Sequence, residues 1–163
     1  MKHVGGAVAV AVLLGSTSVG QAAETKGAEA LWHKACGKDG NGHEACIVEQ
    51  FAVAMPQNVV AAHIRLSATG QPDQILMRLT VPLGVLLARG LVLSVDDTKP
   101  IDLPFERCTR EGCEATAVLD KRALATFTHG TTLTVRYAMT EAAPLDIPIR
   151  LQGLADALTQ LSK

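Results

Sequence analysis

The chain has 163 residues, with 15 basic and 16 acidic side chains and a formal charge of −1. That length fits one domain with a real core, and the near balance of charge excludes the broad basic field used to bind nucleic acid or anionic lipid. The aromatic residues are few (Trp32, Phe51, Phe105, Phe127 and Tyr137), which argues against stacking platforms for bases or sugars and leaves the core to aliphatic side chains.

The amino-terminal stretch MKHVGGAVAVAVLLGSTSVGQAAE has a basic start at Lys2 and His3, an apolar run over Val4–Leu14 and a polar run over Ser16–Gln21. This is the three-part layout of a secretory signal, and the small residues Gly20 and Ala22 suit cleavage after Ala22 or Ala23. The apolar run is too short for a bilayer span of about 20 residues, and no cysteine follows it where a lipoprotein signal needs one. An uncleaved anchor is the alternative. Removing the first 22 of 163 residues leaves a 141-residue mature chain of formal charge −2, since Lys2 is lost. The expected organisation is a signal peptide over 1–22, a flexible lead-in over 23–30 and one β-rich domain over 31–163. The expected location is the periplasm, or a secreted or outer-envelope site, of a Gram-negative bacterium, with no membrane span after cleavage.

Four cysteines follow in two local pairs. Cys36 and Cys46 flank the turn-prone Gly37–Gly42 stretch. In an oxidising compartment such a pair reads as a disulfide, and loop-closure entropy over eleven residues contributes about 3 kcal/mol. The rival reading is zinc, because His33, Cys36, His43 and Cys46 form a doubled H-x-x-C. Residues three apart on a strand point to opposite faces, however, so each half would need a turn to chelate.

A series of segments with period-2 alternation comes next, the mark of half-buried antiparallel strands. Ile47, Glu49, Phe51, Val53 and Met55 share one face, which only Glu49 spoils; this face is expected to be the buried one. Val60, Ala62, Ile64 and Leu66 repeat the pattern with His63 and Arg65 opposite, and Ile75, Met77, Leu79 and Val81 repeat it with Arg78 and Thr80 opposite. Turn residues separate these runs at Pro56–Asn58, Gly70–Asp73, Pro82–Gly84 and Asp96–Thr98.

The stretch RCTREGC at Arg107–Cys113 is flanked by strand-like Ile101–Phe105 and Cys113–Leu119. Its C-x4-C spacing differs from the C-x-x-C of dithiol oxidoreductases. The four intervening residues suit a hairpin in which Gly112 supplies a positive φ. Facing cysteines in a non-hydrogen-bonded pair lie about 4.5 Å apart at Cα, within reach of a disulfide, and closing six residues contributes about 2 kcal/mol. Pairing 36 with 46 and 108 with 113 is preferred because both are local; crossed pairings stay open on the sequence alone. Arg110 and Glu111 would then stand exposed at the hairpin tip as a candidate partner contact.

Asp120 is placed to cap a two-turn helix that carries Leu124 and Phe127 inward and ends near Gly130. Leu133, Val135, Tyr137 and Met139 alternate with polar residues, as do Leu145, Ile147, Ile149 and Leu151, where Pro148 marks an edge strand. The terminal GLADALTQLSK sets Leu154, Leu158 and Leu161 on one helical face, read as packing. The predicted class is mainly β, an antiparallel β-sandwich or partly closed barrel with one short helix and a C-terminal helix. Ser67, Ser94 and Ser162 sit in no G-x-S-x-G elbow, and His63 and His129 read as solvated. No nucleophile, base and orienter assemble, so no catalytic residue, enzymatic role or cofactor is expected.

The order of these features resembles the invasion-associated locus B family of exported alphaproteobacterial proteins. The resemblance is carried by Trp32 with Cys36 and Cys46, VPLGVLLARGLVLSVDD at Val81–Asp97, PFERCTREGCEA at Pro104–Ala115 and RLQGLADAL at Arg150–Leu158. Leu154 departs from it, standing where an aromatic is usual. The resemblance implies a compact, mainly β periplasmic or envelope-associated domain with paired cysteines, linked in some members to host-cell invasion, and it supplies no catalytic residues. The leading expectation is therefore a non-enzymatic binding module for a protein or envelope component of unknown identity. A small-ligand or metal carrier comes second and a thiol oxidoreductase third.

Overall fold

Residues 31–38 and 40–161 are described by the structure, a computed structural model. The expected signal peptide and lead-in lie outside these residues. Among the described residues, ten strands form two antiparallel sheets. They run β1 (His33–Lys38), β2 (Glu44–Ala54), β3 (Val59–Ala68), β4 (Ile75–Val81), β5 (Leu91–Val95), β6 (Ile101–Leu103), β7 (Arg107–Cys108), β8 (Cys113–Leu119), β9 (Thr132–Thr140) and β10 (Ala143–Arg150). Helices α1 (Lys121–His129) and α2 (Leu154–Leu158) and a 3-10 turn at Leu87–Arg89 complete the order. The larger sheet reads β1-β2-β3-β4-β8-β7 and the smaller β10-β9-β5-β6, so the sheets stack as an open sandwich rather than a closed barrel.

The core lies between the sheets. Ile64, Leu66, Met77, Leu79, Val81 and Ala115 of the larger sheet meet Leu91, Leu93, Leu133, Val135 and Ile149 of the smaller. These are the alternate residues of each strand, as a two-layer fold requires. Two polar ties hold the layers together. Gln50 is buried and its Nε2 donates to the Arg150 carbonyl at 2.9 Å, and the Tyr137 hydroxyl donates to the Ala61 carbonyl at 3.0 Å. Asp120 caps α1 by accepting from the Ala123 amide at 2.8 Å, and the helix buries Phe127. Helix α2 sinks Leu154 and Ala157 into the end of the core, which is the packing role read from its apolar stripe. Strand β10, with Pro148, is an outer strand of its sheet.

One face assignment is overturned. On β2 the core side is Val48, Gln50 and Ala52, whereas Phe51 and Val53 point outward at 47% and 46% exposure, and Met55, in the turn just after the strand, is 74% exposed. The physical reason lies in β3, whose inward residues Ala62, Ile64 and Leu66 fix the sheet's orientation. Phe51 pairs with His63 and Glu49 with Arg65, so the odd residues of β2 belong with the polar face of β3. The pairing then skips Ala61, because Ala52 faces Ala62 while Val53 faces Val60. This bulge reverses the alternation and turns Val60 outward as well. Two strands escaped the sequence reading, β1 and β5.

Candidate functional site

Each cysteine pair sits across a strand pair in direct register, Cys36 opposite Cys46 and Cys108 opposite Cys113. Their sulfurs lie 2.15 and 2.05 Å apart, at disulfide distance. The hairpin between β7 and β8 closes through the Thr109 amide, which donates to the Gly112 carbonyl at 2.8 Å. Gly112 takes φ 144°, and a Cβ there would meet the Val81 carbonyl oxygen at 2.2 Å. The glycine thus serves both the turn and the close approach of the hairpin to β4.

Around Cys36 and Cys46, the group of metal-ligand types is completed by Glu44 and includes neither His33 nor His43. Both sulfurs are within bonding distance of each other, which leaves no thiolate pair for zinc. The four-residue zinc set is therefore not assembled by this arrangement.

The outer face of the larger sheet carries a different constellation, built from residues 49–114. Its first part is an apolar ladder. Phe51 and Val53 of β2, Val60 of β3 and Leu83 after β4 are about half exposed, and Met55 is more so. The Phe51 ring stacks on His63, with centroids 4.0 Å apart and planes 15° from parallel. His63 Nε2 lies 2.8 Å from Glu49 Oε2. Burial lowers the His63 pKa and outweighs the opposing hydrogen bond to Glu49, with Arg65 pushing the same way as burial.

The second part is an arginine cleft beneath the hairpin. Glu114, only 4% exposed, accepts from Arg65 Nη2 at 2.8 Å and from Arg107 Nε at 2.7 Å. Burial alone would raise the Glu114 pKa, but the hydrogen bonds from Arg107 and Arg65 outweigh it and hold the carboxyl below its ordinary value. Arg65 also donates to the Thr80 hydroxyl at 3.0 Å. Arg78 lies directly across from Arg65 in the β3–β4 register. Among the described residues, the Nε atoms of both arginines are buried without a protein hydrogen-bond partner.

Arg110 and Glu111, the candidate contact residues at the tip, are exposed and lie where two cavities meet. One, of about 390 Å³, is the arginine cleft, lined by Arg65, Arg78, Arg107 and Glu114. The other, of about 540 Å³, runs past Phe51, Val60, His63 and Leu83. The tip is thus the shared wall of a groove that is basic at one end and apolar at the other. Sequence reasoning missed Phe51, Arg65, Arg78 and Glu114 as site residues. The available signal was Glu49, the one charge in the supposed core face of β2.

A third cavity, of about 400 Å³, opens between the sheets beneath α1. Met77, Leu93, Leu119, Phe127 and Leu133 make it apolar, and Lys99 and Arg122 stand in its wall. Among the described residues, no helix is long and apolar enough to cross a membrane.

Residues 32–162 match the family model described as invasion associated locus B protein. An invasion protein B homologue of Brucella abortus (strain 2308) is 32% identical over 120 residues, covering 72% of this chain and 68% of that protein. Invasion protein B of Bartonella bacilliformis is 32% identical over 139 residues, covering 81% of this chain and 72% of that one. The crystal structure of invasion associated protein B from Bartonella henselae superposes with a TM-score of 0.72 at 27% identity, covering 81% of this chain and 90% of that one.

Proposed function

The chain belongs to the invasion associated locus B family, and from that premise we propose that it is an exported, non-enzymatic envelope protein that binds a partner through the outer face of its larger sheet. The observation that carries this reading is the solvent-facing ladder of Phe51, Val53, Met55, Val60 and Leu83. Large apolar side chains grouped on one sheet face are costly in water and mark an interaction surface when a rim of polar groups surrounds them. Here the rim is His63, Glu49, Arg110 and Glu111. The partner is a protein or envelope component, and the link to invasion rests on the names of the relatives. Two local disulfides in a chain with a signal-like start support export.

The test replaces Phe51 and Val53 with serine, both on the outer face and so tolerated by the core. Tagged protein is then expressed in the native organism and envelope partners are captured. The double variant should lose the partner that the parent retains. Equal recovery by parent and variant would overturn the assignment of this face.

A second reading, a small-ligand carrier, is favoured by the apolar cavity beneath α1. Native mass spectrometry of protein from the native organism tests it: a stoichiometric apolar ligand supports a carrier, and apo protein opposes it.

A further inference from the structure

We propose that the arginine cleft is a subsite for a phosphate-class dianion, carried on a ligand whose apolar part lies along the adjoining Phe51 groove. This rests on the reading that the outer face of the larger sheet is the binding surface, and it names the chemistry that surface takes.

The charge balance is the starting point. Four guanidinium groups, from Arg65, Arg78, Arg107 and Arg110, share the cleft with two carboxylates, from Glu111 and Glu114. The surplus of two positive charges is local, because the chain as a whole carries −1. A dianion cancels it.

The hydrogen-bond balance points the same way. Both oxygens of Glu114 are taken by Arg65 and Arg107, so this carboxylate braces the two guanidinium groups and does not consume the others. Among the described residues, Arg78 and Arg110 have no acidic partner. The buried Nε atoms of Arg65 and Arg78 have no protein acceptor among the described residues. Buried donors without partners are rare, because each forfeits its hydration for nothing in return. Guanidinium donors set in a fixed fork match the oxygens of a tetrahedral oxyanion.

The attached apolar part follows from continuity. Arg65, Arg110 and Glu111 line both the cleft and the neighbouring groove of Phe51, Val60 and Leu83. A bare ion would fill the cleft and leave that groove empty, whereas a phosphomonoester with acyl chains covers both.

The experiment titrates the folded, disulfide-intact protein with three probes at low ionic strength. They are inorganic phosphate, a short-chain phosphatidic acid below its micelle concentration, and the matching zwitterionic phosphatidylcholine, each followed by backbone amide NMR. Phosphate and phosphatidic acid should both shift the amides of the Arg107–Cys113 hairpin saturably, the lipid binding about tenfold more tightly. Phosphatidylcholine should not saturate. Arg78→Gln should weaken both phosphate probes about tenfold, and the exposed Arg110→Gln should do the same without endangering the fold. Phe51→Ser should remove the advantage of the lipid and leave inorganic phosphate unchanged. The proposal is overturned if neither phosphate probe saturates, if Arg110→Gln binds as the parent does, or if phosphatidylcholine matches phosphatidic acid. Absent phosphate binding together with partner capture that still depends on Phe51 and Val53 would sink this proposal alone. Intact phosphate binding with capture indifferent to those residues would sink the wider reading instead.

Discussion

Replacing Glu114 with glutamine removes the one buried charge that organises the arginine cleft. The carboxylate receives Arg65 at 2.8 Å and Arg107 at 2.7 Å. The Arg107 side chain is 62% exposed, so it rehydrates when released and its share is at most about 1 kcal/mol. Arg65 is 23% exposed and stays largely desolvated, so its charge-assisted bond is worth about 1.5–3 kcal/mol. The expected loss is about 2–3 kcal/mol. Urea unfolding of disulfide-intact protein at neutral pH measures it, with an unchanged m-value confirming a common mechanism. The pH dependence supplies a second check. The folded-state pKa of Glu114 is depressed below its ordinary 4.5, so the stabilisation is complete above that value and is lost as pH falls through the folded one. Glutamine has no such titration. The gap between parent and variant should therefore be constant above about pH 5 and narrow below it. A gap under about 0.5 kcal/mol at neutral pH, or one that persists unchanged to about pH 3, would refute the reasoning.

Three further outcomes follow from the hairpin and the outer face. Gly112→Ala forces a side chain into a left-handed φ and against the Val81 carbonyl, so it should cost about 3 kcal/mol or more, read by thermal or urea unfolding; a loss below about 1 kcal/mol would contradict the close approach. Replacing Cys108 and Cys113 together with alanine should cost about 2 kcal/mol, the loop-closure entropy of a short staple. The parent should also show no thiol-dependent insulin reduction above background, since activity abolished by this variant would point to a redox site. An NMR titration should place the His63 midpoint below the ordinary 6.5, and Phe51→Ala should move it upward by exposing the ring to water; a midpoint at or above 6.5 in the parent would show that Glu49 outweighs burial.

Much of the architecture was written locally and so was legible in the chain. Asp120 and Phe127 mark a capped helix because the cap and the buried residue lie within two turns of each other. Pro148 marks an outer strand because it cannot donate to a ladder. The face of β2 was not legible, because alternation gives the two faces but not which one is buried. Phe51, Val53 and Met55 outweigh Val48 and Ala52 in apolar bulk, yet the register with His63 and Arg65 decides the matter. The bulge at Ala61 leaves no mark in composition. Strand β1 is exposed along its whole length, so HKACGK shows no hydrophobic period to read. The arginine cleft escaped for a topological reason. Arg65, Arg78, Arg107 and Glu114 come from four strands, and only the order β3-β4-β8-β7 brings them together.

Site-specific photo-crosslinking in living cells of the native organism tests the proposed binding face most directly. A photoreactive residue is placed in turn at Val53, Met55 and Leu83 on the outer face of the larger sheet, and at Asp146, which is paired with Arg136 on the smaller sheet. The first three positions should trap one and the same partner, and Asp146 should trap none. Capture of that partner from Asp146 while Val53, Met55 and Leu83 stay silent would contradict the account.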